Sequence, residues 1–459
     1  MLQTSRNRSV HLKRLIKSFG DSKGKQAAIY IEGTKTSQRI PTSDVDAEFR
    51  QESNFYWVTG CNEPDCAALV NIDDEQFVML TPDLDDDHAL WCGDFPLPED
   101  YKTVLGANKV ISNKPESLVK LVQELNIKKL YTLESKNDTL QNTLKDVTVD
   151  KSTLYGTLRD LRMIKLSDEI EEMKKICKVS ADAHIQVMRH AKPNINEYQL
   201  EAVFRYYTSL QGATRLAYSV ISAGDERGAT LHYVNNNKVV KDGSLYLIDA
   251  GAEFPDSYYA SDITRTYPIN GKFTQKQKEI YEIVLKANKE VIASMKPGVQ
   301  WVDMHRLADR IITQGLLDLN ILKGDIEELI KNHVGGYFLP HGLGHAIGLD
   351  VHDPPNRDGS FKAINEPGIR YLRTHCELKE GVALTVEPGL YFVPRLLRKA
   401  LADPVLSKFL NKEKLEQYFD FGGIRIEDDV VVTKDGVLVL TSDVPKEIDE
   451  MEAIIGKSQ

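Results

Sequence analysis

Apolar and polar positions follow two different patterns along the chain. Up to about residue 160, short apolar runs such as AAIYI at 27–31 and QFVML at 76–80 alternate with helix-like stretches such as KPESLVKLVQEL at 114–125. Apolar runs of strand length between helical periods predict strands that alternate with helices. We therefore expect a compact α/β domain over residues 1–160.

Long helical periods and β runs dominate residues 161–459. With Ser167 or Asp168 as its N-cap, the first predicted helix of this part continues until Pro193, and a second helix is predicted over 274–295. Most β runs of this part end in an acidic residue. The chain is therefore predicted to be an α/β (α+β) protein with a separate second domain over 161–459.

Two segments of the second part echo each other. GSLYLIDAGAEF begins at Gly243 and GVALTVEPGLYF begins at Gly381, and the two share an acid six residues after that glycine, a second glycine and a final phenylalanine. The echo predicts two related half-domains that face each other across a pseudo-twofold axis. Asp249 and Glu387, the shared acids, would then lie at equivalent places near that axis.

The basic N-terminus, MLQTSRNRSVHLKRLIKSFG, allows two interpretations. A cleaved mitochondrial presequence has this kind of composition, rich in arginine and poor in acids. We favour a first helix of the folded protein instead, because its apolar residues recur at helical spacing. That stripe comprises Val10, Leu12, Leu15, Ile16 and Phe19.

Composition narrows the function only coarsely. A length of 459 residues suggests two or three domains, and the net charge of −10 argues against a nucleic-acid partner. No run approaches the roughly 18 apolar residues that cross a bilayer, so no membrane partner is expected. The five cysteines are dispersed, which argues against a structural zinc site and predicts reduced thiols in a cytoplasmic protein.

The candidate chemistry lies in four acids and one histidine. Serine-hydrolase, P-loop and H-E-x-x-H motifs are absent from the sequence. What remains are acids in or beside β runs and a histidine among glycines, namely Asp249 in LYLID, Asp262 in SDITRTYP, Glu387 in ALTVE, Glu427 in GGIRIEDDVVVT and His345 in PHGLGHAIG. Taken singly, each acid could be a turn residue or an ion-pair partner, and the histidine could simply be packed.

Together, these five residues predict a metal centre. A buried carboxylate costs several kcal/mol unless it is paired or metal-bound, so four of them pointing inward call for cations. Two divalent ions would neutralise them, and a hydroxide bridging such a pair can attack a carbonyl at neutral pH. A donor set with four carboxylates and one imidazole suits manganese better than structural zinc.

These same segments carry a family resemblance. LIDAG, SDITRTYP, PHGLGHAIGLDVHD, TVEPGLYF and GGIRIEDDVVVT resemble the signature segments of the pita-bread metallopeptidases. Within that family the chain is similar to the eukaryotic-type prolidase (Xaa-Pro dipeptidase) group, with aminopeptidase P as a near relative. The resemblance covers most of the chain. It implies a creatinase-like N-terminal domain of the aminopeptidase P type, a pita-bread catalytic domain, a homodimer and two divalent ions per subunit, usually manganese.

The resemblance also implies a role for each of the five residues. Asp249 would bind one metal, and His345 and Glu387 would bind the other. Asp262 and Glu427 would bridge both ions. Glu387 would in addition be a catalytic residue that transfers a proton.

Further residues match substrate positions of the family. His232 and His352 would be catalytic contacts to the substrate or its tetrahedral intermediate, and His352 is suited to stabilising the developing oxyanion. Tyr218 and His341 would line the substrate site. For the three histidines the alternative is a packing role, and for His341 this alternative is nearly as strong.

Two other matches concern specificity. Arg373 would hold the substrate's terminal carboxylate bidentately, which would limit the substrate to dipeptides. Its alternative is a surface ion pair, and Arg370 is a weaker candidate for the same task. Trp91 resembles a residue of the N-terminal domain that reaches the partner subunit's site.

The predicted function is the metal-dependent hydrolysis of Xaa-Pro dipeptides with release of free proline. The partner is then a small peptide substrate, and the nucleophile a hydroxide bridging two divalent metals. The first alternative is an aminopeptidase P that removes the N-terminal residue from longer Xaa-Pro peptides. The second is a non-catalytic pita-bread module that binds peptides or proteins, and the presence of all five ligands argues against it.

Overall fold

The chain forms two compact units in the computed structural model, Met1–Arg162 and Met163–Gln459. The structure describes residues 8–40, 45–134, 139–354 and 364–457. Within these residues, no helix combines the length and the apolar character needed to cross a membrane.

The first unit alternates strands and helices. Its elements are α1 (Arg8–Ser18), β1 (Ala27–Glu32), α2 (Ser53–Thr59), β2 (Ala67–Asn71), β3 (Phe77–Thr81), α3 (Asp86–Cys92), α4 (Pro98–Leu105), β4 (Lys109–Ser112), α5 (Pro115–Glu124), β5 (Lys129–Tyr131), α6 (Thr139–Thr143), β6 (Thr148–Asp150) and α7 (Thr153–Met163).

One mixed sheet organises this unit. Among the described residues its strand order is β4-β3-β2-β1-β5-β6. The pairs β1–β2 and β2–β3 are antiparallel, and β3–β4, β1–β5 and β5–β6 are parallel. Strands β1, β2 and β3 are buried along nearly their whole length, which explains why they read as continuous apolar runs rather than alternating ones.

The second unit contains long helices and several small sheets. Its elements are α8 (Ser167–His190), α9 (Glu197–Leu210), β7 (Arg215–Leu216), β8 (Ile221–Gly224), β9 (Leu245–Asp249), β10 (Ala252–Glu253), β11 (Thr264–Pro268), α10 (Gln275–Ser294), α11 (Trp301–Asp318), α12 (Ile326–Lys331), β12 (Ala383–Val386), β13 (Gly389–Tyr391), α13 (Pro394–Ala402), α14 (Lys412–Glu416), β14 (Gly423–Arg425), β15 (Asp428–Val432), β16 (Val437–Val439) and α15 (Ile448–Ile454).

Two antiparallel strand pairs of this unit carry the acids in the same arrangement. In the first pair, β9 ends at Asp249 and Asp262 lies just before β11. In the second pair, Glu387 follows β12 and Glu427 lies just before β15. A bridge between Thr264 and Glu427 joins the two pairs, with the Glu427 N–H donating to the Thr264 carbonyl at 3.0 Å. The junction therefore brings all four acids to one place.

The elements agree with most of the sequence-based expectations. Leu12, Leu15 and Ile16 of α1 are buried, as is Phe19 directly after its end, but Val10 is 43% exposed and does not belong to the buried stripe. At α8 the N-cap is Leu166 rather than Ser167 or Asp168, because the helix already begins at Ser167. The second predicted helix, 274–295, is α10, and the Thr274 side chain caps its first turn.

The start of α7 gives a test of the first unit's stability. The Asp150 carboxylate accepts hydrogen bonds from the N–H groups of Ser152 at 3.0 Å and Thr153 at 3.1 Å, and Lys129 lies 3.2 Å away. Burial opposes ionisation, yet these hydrogen bonds and Lys129 hold the pKa of Asp150 well below its usual range. The ionised form is therefore the one that stabilises the fold.

We expect Asp150→Ala to lower the free energy of unfolding of this unit by about 1 kcal/mol at pH 7. A depressed pKa stabilises above the unfolded-state value near 4, so the difference from wild type should shrink as the pH falls below about 4. Calorimetric unfolding from pH 7 to pH 3 measures it, with the exposed Asp146→Ala as control. A difference that is the same at every pH would contradict a contribution from the ionised Asp150 carboxylate.

Candidate active site

The second unit gathers the predicted ligands in one cluster. Ligand atoms of Asp262, His345 and Glu427 lie within 4.8 Å of one another, a grouping that could hold a metal ion. The His345 Nε2 atom is 3.4 Å from Asp262 Oδ2 and 3.6 Å from Glu387 Oε1. Asp249 is adjacent, because the Tyr218 hydroxyl contacts both Asp249 and Asp262. All five predicted residues thus come together.

The backbone around His345 fixes its ring. The His345 N–H donates to the Thr385 hydroxyl at 3.1 Å, and the Thr385 N–H donates to the His345 carbonyl at 2.9 Å. This close approach requires Gly344, since a Cβ there would lie 2.0 Å from the Thr385 carbonyl oxygen. Gly344 therefore lets the loop lie directly against β12, while Gly342 allows a close approach to Leu372.

The hydrogen bond at Nδ1 assigns the tautomer of the His345 ring. Nδ1 lies 3.1 Å from the Ala346 carbonyl oxygen, to which it can only donate. Nε2 consequently presents a lone pair to the oxygens of Asp262 and Glu387, and burial lowers the pKa of the ring. A lone pair that faces two carboxylates is unfavourable without a cation between them and favourable with one.

Asp249 and Asp262 share a tyrosine. The Tyr218 hydroxyl lies 2.6 Å from Asp249 Oδ1 and 2.5 Å from Asp262 Oδ1, and it can donate its one proton to only one of them at a time. The second Asp249 oxygen accepts from Arg425 Nη2 at 2.6 Å. Arg425 is 4% exposed, so this is a buried, charge-assisted contact.

Protein groups alone do not neutralise the other carboxylates of the cluster. Burial raises the pKa of Asp262 and of Glu427 well above the usual range, and the neighbouring carboxylates raise both further. Burial also raises the pKa of Glu387 to about 7. Arg425 offsets only one of these negative charges. A mostly carboxylate set that is poorly neutralised by protein groups fits one or more hard divalent cations.

Comparisons with known proteins agree with this geometry. Residues 171–434 match the model of metallopeptidase family M24, and residues 5–131 match the aminopeptidase P N-terminal domain. The chain belongs to metallopeptidase family M24. It is therefore a hydrolase with a pita-bread catalytic domain, and membership of M24 implies divalent metal ions.

Similar proteins are found among both dipeptidases and aminopeptidases. The chain is 38% identical to a human Xaa-Pro dipeptidase over 93% of its own length and 88% of the relative's. It is 39% identical to a probable Xaa-Pro aminopeptidase of Podospora anserina over 94% and 93% of the two lengths. The solved structure of Pseudomonas aeruginosa aminopeptidase PepP superposes with a TM-score of 0.83 at 31% identity, covering 99% of this chain and 98% of that one.

The cluster of the five predicted ligands opens into a cavity of about 920 Å³. Its walls include the predicted ligands Asp249, Asp262, His345, Glu387 and Glu427, and also every predicted substrate contact, namely Tyr218, His232, His341, His352 and Arg373. Arg370, the weaker alternative to Arg373, lines the cavity as well. Position alone therefore does not separate the two arginines.

His341 is held on both sides of its ring. Nδ1 donates to the Gly342 carbonyl at 2.8 Å, and Nε2 accepts from the Tyr391 hydroxyl at 2.9 Å. Tyr391 in turn accepts from Arg425 Nη1 at 2.8 Å, and burial lowers the pKa of His341 to about 3. Because both ring nitrogens are engaged, the neutral His341 ring forms part of the cavity wall.

His352 lies directly against the cluster. Its ring packs edge-on against His345 with centroids 4.4 Å apart. Partial burial in the cavity lowers the pKa of His352 to about 3, and His345 and Arg373 lower it further. Arg373 is therefore close enough to His352 to influence its charge.

Three residues that hydrogen-bond to the cluster or its cavity wall were not predicted as site residues. Arg425 binds Asp249, the Tyr391 hydroxyl links Arg425 to His341, and the Thr264 hydroxyl donates to Glu427 Oε2 at 2.6 Å. The signal for Arg425 was present, since it stands two residues before Glu427 on the same face of the strand. Trp91 lies in α3 of the first unit and is 82% exposed, and its role at a partner subunit stays a prediction.

Metal binding at this cluster gives a test that does not need activity. We expect 1 mM Mn²⁺ to raise the melting temperature of the metal-stripped protein, since binding at about 100 times the dissociation constant stabilises by about 2.7 kcal/mol. In Glu427→Gln the shift should largely disappear. The exposed Glu226→Gln serves as control, measured by calorimetry together with metal content. An unchanged shift in Glu427→Gln would exclude Glu427 as a ligand.

Proposed function

We propose that this M24 enzyme hydrolyses Xaa-Pro dipeptides and releases free proline. The observation that carries the proposal is the placement of Arg373 in the same cavity as the five predicted ligands. The similarity to Xaa-Pro dipeptidases supports it. An arginine binds a terminal carboxylate bidentately, and in a dipeptide that carboxylate belongs to the proline whose imide bond is broken.

Five residues would hold two divalent ions. Manganese is the metal with which to test this assignment. Asp249 would serve one ion, His345 and Glu387 would serve the other, and Asp262 and Glu427 would serve both. Ions held there would supply a hydroxide nucleophile at neutral pH and would polarise the scissile carbonyl. The predominance of carboxylate oxygens supports manganese over a soft metal.

The remaining steps belong to side chains of the chain itself. Glu387 accepts a proton from the attacking water on a carboxylate oxygen and passes it to the imide nitrogen of proline. That nitrogen has no N–H in the peptide, so it needs a proton to leave as an amine. His352 and His232 donate hydrogen bonds to the substrate, and His352 stabilises the charge that develops on the carbonyl oxygen.

An aminopeptidase P activity is the second candidate, since some relatives are named probable Xaa-Pro aminopeptidases and the superposed structure is an aminopeptidase PepP. The two activities place opposite demands on Arg373. A dipeptide offers its carboxylate there, whereas a longer peptide offers a neutral amide. The arginine therefore favours the dipeptidase.

The remaining parts of the proposal concern assembly and location. The family resemblance supports a homodimer in which Trp91 approaches the partner subunit's site. The five cysteines are few and dispersed along the chain, which supports the predicted cytoplasmic location.

The substrate class is tested with matched peptides. We expect the Mn²⁺-loaded enzyme to release proline from Gly-Pro, to leave Gly-Pro-Gly intact and to lose activity on chelation. Arg373→Leu should lower kcat/KM for Gly-Pro by at least 100-fold, mainly through KM, because the carboxylate loses a charge-assisted pair. Amine release measured by chromatography checks each rate.

Arg370→Leu is the control for this experiment, because both arginines line the cavity. If Arg370→Leu causes the larger loss, the carboxylate is bound there instead. Cleavage of Gly-Pro-Gly would establish the aminopeptidase. If the protein binds metal but cleaves neither peptide, the non-catalytic binding module becomes the preferred interpretation.

The oxyanion role of His352 predicts a different kinetic signature. His352→Ala should lower kcat by about 100-fold to 1,000-fold with little change in KM, because the contact strengthens only in the transition state. Steady-state kinetics on Gly-Pro measures the split. A rise in KM at unchanged kcat would instead make His352 a ground-state substrate contact.

A further inference from the structure

One buried carboxylate outside the site collects an unusual number of donors. Glu197, the first residue of α9, is 0% exposed. Its Oε1 accepts from the Gly224 N–H at 2.9 Å and from Arg227 Nε at 2.7 Å. Its Oε2 accepts from the Tyr233 hydroxyl at 2.8 Å and from the Lys238 N–H at 2.9 Å. A carboxylate has about four acceptor sites, so Glu197 is fully satisfied.

The Glu197 backbone fastens the same region. Its N–H donates to the Lys238 carbonyl at 2.9 Å, and its carbonyl accepts from the Ser222 hydroxyl at 2.8 Å. Both ends of the segment 224–238, and Tyr233 within it, are therefore tied to one residue. Because the carboxylate is buried and charged, each of these bonds is stronger than a bond between neutral groups.

This segment, which we name the Glu197-anchored segment (224–238), forms part of the cavity wall. Leu231, His232 and Val234 line the cavity. Tyr233, between them, is buried in a cluster with Ile221 and Leu247. The side chains on either side of Tyr233 thus face the substrate while Tyr233 faces the core, where its hydroxyl reaches Glu197.

The ring of His232 depends on this anchoring. Within the described part of the chain, the His232 side chain makes no hydrogen bond to another residue, unlike His341 and His345. Its position is consequently set by the backbone at Tyr233, which Glu197 fixes. A shift of about 1 Å in a positioning element is enough to cost a large factor in rate.

We propose that Glu197 is a positioning residue, which holds His232 over the reacting bond by gathering four donors of the Glu197-anchored segment on one carboxylate. The inference rests on the proposed function, in which His232 contacts the substrate. Glu197 itself touches neither substrate nor the predicted ligands. Its role is to hold a segment whose catalytic side chain, among the described residues, makes no hydrogen bond of its own.

Glu197→Gln is the first variant. The amide keeps the shape of the side chain but turns one acceptor into a donor, which then faces two donors of the segment. We expect kcat/KM for Gly-Pro to fall at least tenfold. Glu201→Gln, one turn later on α9, is the control, because Glu201 reaches the segment only through the Asn236 amide. Its kcat/KM should stay within twofold of wild type.

A double-mutant cycle separates positioning from general destabilisation. If Glu197 acts through His232, Glu197→Gln should cost less than threefold in a His232→Ala background. Equal losses in both backgrounds would overturn the proposal. Tyr233→Phe, which removes one donor and keeps the ring, repeats the cycle with a smaller expected loss if Glu197→Gln does not fold.

Hydrogen exchange measured by mass spectrometry makes the result independent of activity. Glu197→Gln, or Tyr233→Phe in its place, should raise exchange selectively in peptides from 224–238. Unchanged exchange there would overturn the inference even if activity fell. A wild-type enzyme that binds manganese but does not cleave Gly-Pro would refute the proposed function, and the exchange experiment would then decide the anchoring alone.

Discussion

The concentration of negative charge in one enclosed place is the constraint on which the catalytic unit depends. Asp249, Asp262 and Glu427 are buried, and Glu387 is partly buried beside them. Removing such groups from water costs several kcal/mol each, and Arg425 together with the Tyr218 hydroxyl compensates only part of it. The divalent ions that membership of M24 implies would offset the rest of this cost if they bind at these carboxylates.

Rigid strand pairs hold these acids in place. A second buried arginine, Arg265, donates to the Glu427 carbonyl at 2.6 Å and to the Asp428 carboxylate at 2.8 Å, and it is 0% exposed. On the other side, the Asn288 amide of α10 donates to the Val386 carbonyl at 3.1 Å. These contacts lie behind the ligands rather than in the cavity. They keep the two strand pairs together although the carboxylates in front of them repel one another.

The predicted substrate contacts are supported differently from the predicted metal ligands. His232 and His352 lie on connecting segments, where the backbone has no sheet to fix it. The loop of His352 is held by Asp353, which accepts from Lys165 Nζ at 2.9 Å in an ion pair whose side chains are 1% and 2% exposed. The segment of His232 is held by Glu197. In both cases a buried charge fixes a loop that carries a histidine.

The sequence by itself determined the local features. Apolar periods predicted the long helices α8 and α10 and the strands β1 and β3, and acids in or beside β runs indicated the candidate ligand set. Such signals are local, because strand and helix periods and the unusual position of an acid are properties of a few neighbouring residues. The family resemblance supplied His232, His352 and Arg373, which are not distinctive as single residues.

The tertiary structure alone decided how these pieces meet. Arg425 reaches Asp249, 176 residues earlier, and Thr264 reaches Glu427, 163 residues later. Glu197 gathers donors up to 41 residues away, although its position at the start of α9 looks ordinary in the sequence. Charge compensation and loop anchoring depend on distances between atoms that only the fold brings together, and no local pattern encodes them.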